Sequence, residues 1–183
     1  RLGDAVLATR LLDADPSCVS ARIHEDGYAP VPPLHIYCWT LGFGLSPHDV
    51  ASRFDHRDVY ELLISRSPTQ LRFINAALAA DEQATSAVLA EEPSLLSSLT
   101  RKAHSHLAHA IFYEHFHAAE LMLRLGFDPA APGVDGGSAL HAACWVGNVR
   151  IVERILARAG IGLDARDPTH KSTPLGWAAF GSV

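Results

Sequence analysis

The stretch Ser138-Ala139-Leu140-His141-Ala142-Ala143-Cys144-Trp145-Val146-Gly147-Asn148-Val149-Arg150-Ile151-Val152-Glu153-Arg154-Ile155-Leu156 decides the fold. Its first part carries small residues, Ala142 and Ala143, which let neighbouring helices approach closely. Gly147-Asn148 follows, a pair that tolerates positive φ and predicts a tight turn. Beyond it, Ile151, Val152, Ile155 and Leu156 fall at i, i+1, i+4 and i+5, the apolar stripe of a second helix. Two helices this short cannot bury their own apolar faces, so copies of the unit must stack.

Copies occur on both sides. The pattern returns one period earlier in Leu107 to Leu123, with Ala110 matching Ala143, His115 matching Asn148, and Met122-Leu123 matching Ile155-Leu156. A further period back, Phe73 to Leu89 fits again through Ala76, Ala84, Val88 and Leu89. Thr173-Pro174-Leu175-Gly176-Trp177-Ala178-Ala179 opens the next copy forward, and Gly3-Asp4 with Leu7, Leu11 and Leu12 matches the second half of a unit at the front. Gly126 and Gly160 stand just past second helices, where a C-cap prefers glycine. A repeat of this length predicts an all-α chain, an α-solenoid of helix-turn-helix units.

These residues resemble the ankyrin repeat. The resemblance rests on Thr173-Pro174-Leu175, on Ser138 to Ala143, on Gly147 to Leu156, and on tails such as Gly126-Phe127-Asp128-Pro129-Ala130. Pro33-Leu34-His35 is read as a further copy of the opening motif. The resemblance implies an ankyrin solenoid of stacked helix-turn-helix units with short β-hairpin fingers, as one array over 1–183. The approximate units are 1–22 (partial), 23–66, 67–100 (degenerate), 101–133, 134–167 and 168–183 (partial). The interval from Leu34 to Ile64 is nearly twice that from Leu140 to Leu156, so an insertion is read at 42–55. The interval from Ile64 to Phe73 is only about half that from Leu123 to Leu140, and that junction is expected to lack a finger. The chain opens without Met and both ends fall inside a unit, so a fragment of a longer protein is expected.

Composition narrows the function. A 48% hydrophobic and 19% charged chain has a globular balance. No run reaches the apolar length of a membrane span. A net charge of -5 disfavours generic nucleic-acid binding. Residues 1–100 hold 13 acidic and 7 basic side chains, and residues 101–183 hold 7 and 8. Cys18, Cys38 and Cys144 form neither a disulfide framework nor a metal knuckle. A cytoplasmic, reducing environment is the expectation. Arg outnumbers Lys by 13 to 2 and Ala is abundant, which points to a GC-rich, bacterial genome.

Catalytic signatures lack companions. His56-Arg57-Asp58 imitates a kinase tripeptide and His48-Asp49 a metal-phosphohydrolase pair, yet no phosphate loop or second half follows either. Gly-x-Ser-x-Gly, CxxC, HExxH and GxGxxG are all absent from the sequence. No enzyme and no cofactor are expected. His104, His106, His109, His115 and His117 raise a metal alternative, since i and i+3 share a helix face. Against it, His115 falls at a turn and His117 aligns with Arg150. The resemblance also gives His35 and His141 a structural role, bonding backbone between neighbouring fingers.

The stronger signal is a stripe. The resemblance places the two residues before each inter-helix turn on the concave face: Trp39 and Thr40, Leu78 and Ala79, Phe112 and Tyr113, Trp145 and Val146, with Phe180 opening the last pair. Four of these five copies begin with an aromatic, the residue type that dominates protein interfaces. The competing reading is that the rings pack on one another or under the 42–55 insertion. Finger tips add Val134, Asp135 and Gly137 before one unit, Thr169, His170 and Lys171 before the next, and Glu25, Asp26 and Tyr28 near the front.

The expected function is non-catalytic protein-protein recognition by a monomer, with no nucleic-acid or membrane partner. The expected partner-binding set is Trp39, Thr40, Phe112, Tyr113, Asp135, Trp145, Val146, His170, Lys171 and Phe180. Two alternatives stand beside it: a structural or regulatory arm of a larger enzyme, and the histidine cluster as a metal site.

Overall fold

The computed structural model describes residues 3–22, 45–158 and 162–181. His35, Cys38, Trp39 and Thr40, the finger residues Glu25, Asp26 and Tyr28, and Gly160 lie outside the described residues. The repeat is plainest at the turns. Gly3, Asp55, Ala80, Glu114 and Gly147 all adopt positive φ, at 60, 56, 56, 61 and 68° respectively. Each is followed by the N-cap of a helix: Asp4, His56, Asp81, His115 and Asn148. Asp4, Asp81 and Asn148 cap with their own side-chain oxygens, accepting from Leu7 N, Ala84 N and Ile151 N.

The same turn is closed by the same bond. The N–H of His56 donates to Ala51 O at 2.9 Å, Asp81 to Ala76 O at 2.9 Å, His115 to Ala110 O at 2.8 Å, and Asn148 to Ala143 O at 3.1 Å. All four acceptor residues are buried alanines. A small side chain there lets the second helix fold back closely on the first.

The chain divides into two compact units, Arg1–Arg72 and Phe73–Val183. The first holds α1 (Ala5–Ala14), a 3-10 turn (Pro16–Ser20), α2 (Pro47–Arg53) and α3 (Arg57–Ser65). Its core gathers Leu12, Val19, Ala51 and Leu63. His48 is also buried. Its Nε2 lies 2.9 Å from Ser67 Oγ, and burial lowers its pKa.

The insertion read at 42–55 is corrected here. Residues 47–53 form α2, a regular helix with Pro47 at its start and a reciprocal cap between Ser46 and Asp49. It ends at the Asp55 turn, so α2 stands where the first helix of a unit stands. The residues before this turn are therefore Arg53 and Phe54, where the sequence reading has Trp39 and Thr40. The short junction after Ile64 has the form expected: only Arg66, Ser67 and Pro68 separate α3 from α4 (Thr69–Leu78), and α4 crosses the division between the units.

The second unit continues with α5 (Glu82–Glu91), α6 (Leu95–Ser98), α7 (Arg101–His104), α8 (His106–Phe112), α9 (Phe116–Leu125), α10 (Ala139–Trp145), α11 (Val149–Leu156) and α12 (Pro174–Gly181). First helices pack side by side, α10 lying against both α8 and α12, while α9 neighbours α11. The core between them is made by Phe73, Leu107, Ile111, Met122, Phe127, Ile151 and Ile155. Surface ion pairs run along the second helices, Arg124 to Glu82 and Arg150 to Glu120. Gly126 ends α9 in the left-handed conformation, at φ 98°.

The described residues contain no strand. The finger before α10 is a tight loop: Gly133 N–H donates to Gly137 O at 2.7 Å and Ala139 N–H to Pro129 O at 3.0 Å. No helix among the described residues is long and apolar enough to cross a membrane.

Candidate functional site

The helices α8, α10 and α12 each deliver an aromatic ring to one surface. Phe112 ends α8 and Trp145 ends α10, so the packing of α8 on α10 sets their rings parallel, 6.3 Å apart with an 18° tilt. Trp177, in α12, meets Trp145 edge-on at 6.1 Å. Phe180, one turn further along α12, is 74% exposed. Tyr113 turns its ring edge-on to Phe112 and stays largely in solvent. The competing reading of the stripe is thus half true. Phe112 and Trp145 do stack on one another, and Trp145 still leaves 39% of its surface open.

The wall of the groove is a finger built around one carboxylate. Asp167 is buried and accepts from His170 N–H, from Ser172 N–H at 3.0 Å and from the Trp177 indole at 3.0 Å. Burial by itself would disfavour the charged form of Asp167. The bonds from His170, Trp177 and Ser172 outweigh it and hold its pKa at about 2. The backbone closes the same loop, with Asp167 N–H on Ser172 O at 3.0 Å and Lys171 N–H on Asp167 O at 3.1 Å.

The two fingers are joined. Thr169 donates its hydroxyl to Asp135 O at 2.8 Å, and His170 Nε2 lies 3.4 Å from Asp135 Oδ2. A Cβ at Gly136 would stand 2.3 Å from the Pro168 ring, so glycine is needed for this approach. His141 completes the join from beneath. Ser138 N–H donates to its Nδ1 at 3.1 Å, which leaves Nε2 to carry the proton and face Ser172 O at 3.3 Å.

Rings and finger enclose a groove of about 630 Å³. Of the expected partner-binding residues, Phe112, Asp135, Trp145, His170, Lys171 and Phe180 line it. Tyr113 lies beside it and Val146 instead packs on the core. Trp177, Arg166, Ser172 and Thr173 also line the groove, outside the expected set. Trp177 had a signal: it stands in the opening helix where the clearest copy has the small Ala142. Arg166 had none, since only the folding of its loop brings it to the rim.

The histidine cluster resolves into separate roles. His104 Nδ1 accepts from Asp128 N–H at 3.1 Å, His109 Nδ1 lies 2.8 Å from Ser105 O, and His115 sits at an N-cap. The rings of His106 and His109 are 6.3 Å apart. Among the described residues, no three metal-ligating side chains converge.

Residues 135–168, which run from the first finger through α10 and α11 into the second, match the family model of the ankyrin repeat. The chain thus contains an ankyrin repeat. It is also similar to Protein PhlB of Serratia liquefaciens, with 36% identity over 63 residues. That match covers 34% of this chain and 27% of the relative, so the chain spans about a quarter of the length of PhlB. Within the ankyrin-repeat frame, the His141 bonds to Ser138 and Ser172 are the finger-to-finger role expected of that histidine.

Proposed function

We propose that this ankyrin-repeat chain is a non-catalytic protein-recognition module. A partner lies on the groove of Phe112, Trp145 and Phe180, on the face that ankyrin geometry makes concave, and the tips Asp135, His170 and Lys171 set specificity. One observation carries the reading: Phe112, Trp145 and Phe180, from three successive first helices, line a single groove, and Trp145 and Phe180 are exposed there. Phe112 and Trp145, held by their stacking, lose little side-chain entropy on binding, and such rings form the anchors typical of protein interfaces. The bonds around Asp167 hold the adjoining finger in place before a partner arrives.

The test is site-specific crosslinking. A benzoyl-phenylalanine at position 180 should capture a protein from host lysate, and the adduct should disappear when Phe112 and Trp145 are both changed to Ser in a protein with unchanged circular dichroism. Equal capture by that folded variant would remove the groove from the mechanism.

A further inference from the structure

We infer that the groove takes an acidic peptide: an extended segment with an apolar side chain on the Trp145 and Phe180 rings and a neighbouring carboxylate at Arg166 and Lys171. The inference rests on the protein-recognition reading of this same groove and adds the chemistry of the partner.

The charge inventory around the rim supports it. Asp135 is the carboxylate among the described residues of the lining, Asp167 lies behind Trp177, and both are hydrogen-bonded. Asp167 is buried under three donors, and Asp135 faces His170 at 3.4 Å. Arg166 donates Nη1 to Lys171 O at 2.7 Å, a bond that fixes its guanidinium beside the loop without neutralising it. Among the described residues, neither Arg166 nor Lys171 has a carboxylate within ion-pair distance. Among the described residues, two cations without a carboxylate partner therefore border an apolar floor, in a chain whose net charge is -5.

That combination selects among ligands. An aromatic groove alone would also suit a quaternary ammonium or a methylated lysine. Arg166 and Lys171 oppose a cation there by like-charge repulsion. A planar carboxylate needs only the two donors that one guanidinium edge presents, with the ammonium beside it. A phosphate dianion calls for more donors than this rim supplies, because part of Arg166 is already bonded to Lys171 O. The lysine sits at φ 56°, on a loop closed through Asp167, so its backbone is set before the ligand arrives. The volume of about 630 Å³ lies in the range of sites that take small ligands or short peptide segments.

The experiment is selection of a random decapeptide phage library on the whole chain, run in parallel on Arg166→Glu/Lys171→Glu and on Phe180→Ser. Each variant is first checked for native circular dichroism, with Lys171→Gln as the milder substitute if the double variant misfolds. Peptides enriched on the wild type should carry Asp or Glu next to an aromatic or aliphatic residue. Their affinity by fluorescence anisotropy should fall about tenfold or more on the charge-reversed chain, and the selection there should turn toward Lys and Arg. Apolar peptides without acidic preference, lost on Phe180→Ser, would overturn the acidic-peptide inference and leave the groove reading standing. Peptides bound equally by Phe180→Ser, or no enrichment at all, would overturn the inference and count against the groove itself. Replacing the selected Asp or Glu by phosphoserine supplies the last arm: binding stronger by more than about tenfold would reassign the site to a phosphopeptide.

Discussion

Two successive helix pairs, α8 with α9 and α10 with α11, share a backbone and differ in how much of the second helix is covered. Their turns agree, with Glu114 at φ 61° and Gly147 at 68° followed by N-caps at φ -77° and -83°. Their side chains part company at once. Leu123 in α9 is 3% exposed, whereas Leu156, its counterpart in α11, is 44% exposed. Ala118 stands where α11 has Ile151, and both are buried. The repeat therefore fixes where the chain turns, and the neighbours of each pair fix which apolar residues are covered.

The largest expected effect breaks that equivalence directly. Leu123→Ala should cost about 2–5 kcal/mol in urea unfolding, and Leu156→Ala less than about 1 kcal/mol. Equal losses would mean that the two leucines share one environment after all.

Acid should expose the next difference, since among the described residues only the finger after α11 is built on a buried carboxylate. The pKa of Asp167 is lowered from its ordinary 3.8 to about 2. The stabilisation it brings is thus complete above about pH 4 and disappears as pH falls toward about 2. Thermal unfolding of the wild type and Asp167→Asn across this window should show their difference shrinking as pH drops. A gap that stays constant would mean that the bonds from His170, Ser172 and Trp177 do not depend on the charge.

The turns permit a smaller, reciprocal test. A non-glycine residue in the left-handed region carries a steric cost of roughly 1 kcal/mol. Glu114→Gly should therefore stabilise the chain by up to about 1 kcal/mol, and Gly147→Ala should destabilise it by a similar amount. No atom lies within 4 Å of a Cβ built on Gly147, so the loss there would report backbone conformation alone. Least of all, Asp135→Asn should change stability by less than about 1 kcal/mol, because its pairing with His170 is solvent-exposed.

Much of this is legible in the sequence. The Ala110 and Ala143 offsets, the Gly147-Asn148 turn and the stripe from Ile151 to Leu156 all express local rules, and the helices follow them. The front half misled because Pro33-Leu34-His35 and Ser46-Pro47-His48 both look like openings, and a short motif cannot arbitrate between them. The distance to the turn does. The interval from Ser46 to Asp55 equals those from Ser105 to Glu114 and from Ser138 to Gly147. Asp55 hid that spacing, since nothing about an aspartate announces a left-handed turn as glycine does. Phe112, Trp145 and Phe180 could be placed at the groove because they share a register. The Asp167 bonds and the position of Arg166 could not, since both depend on how an irregular loop closes.

That closed loop has a consequence for change over time. Asp167, Ser172 and Trp177 hold its ends, while His170 contributes through its backbone N–H and Lys171 through its backbone alone. The Lys171 side chain is thus separable from the bonds that shape the loop, while the His170 ring leaves them for Asp135 of the neighbouring finger. The finger works as a socket with an exchangeable tip: new side chains there can redirect the groove to a different ligand while the frame that presents them stays as it is.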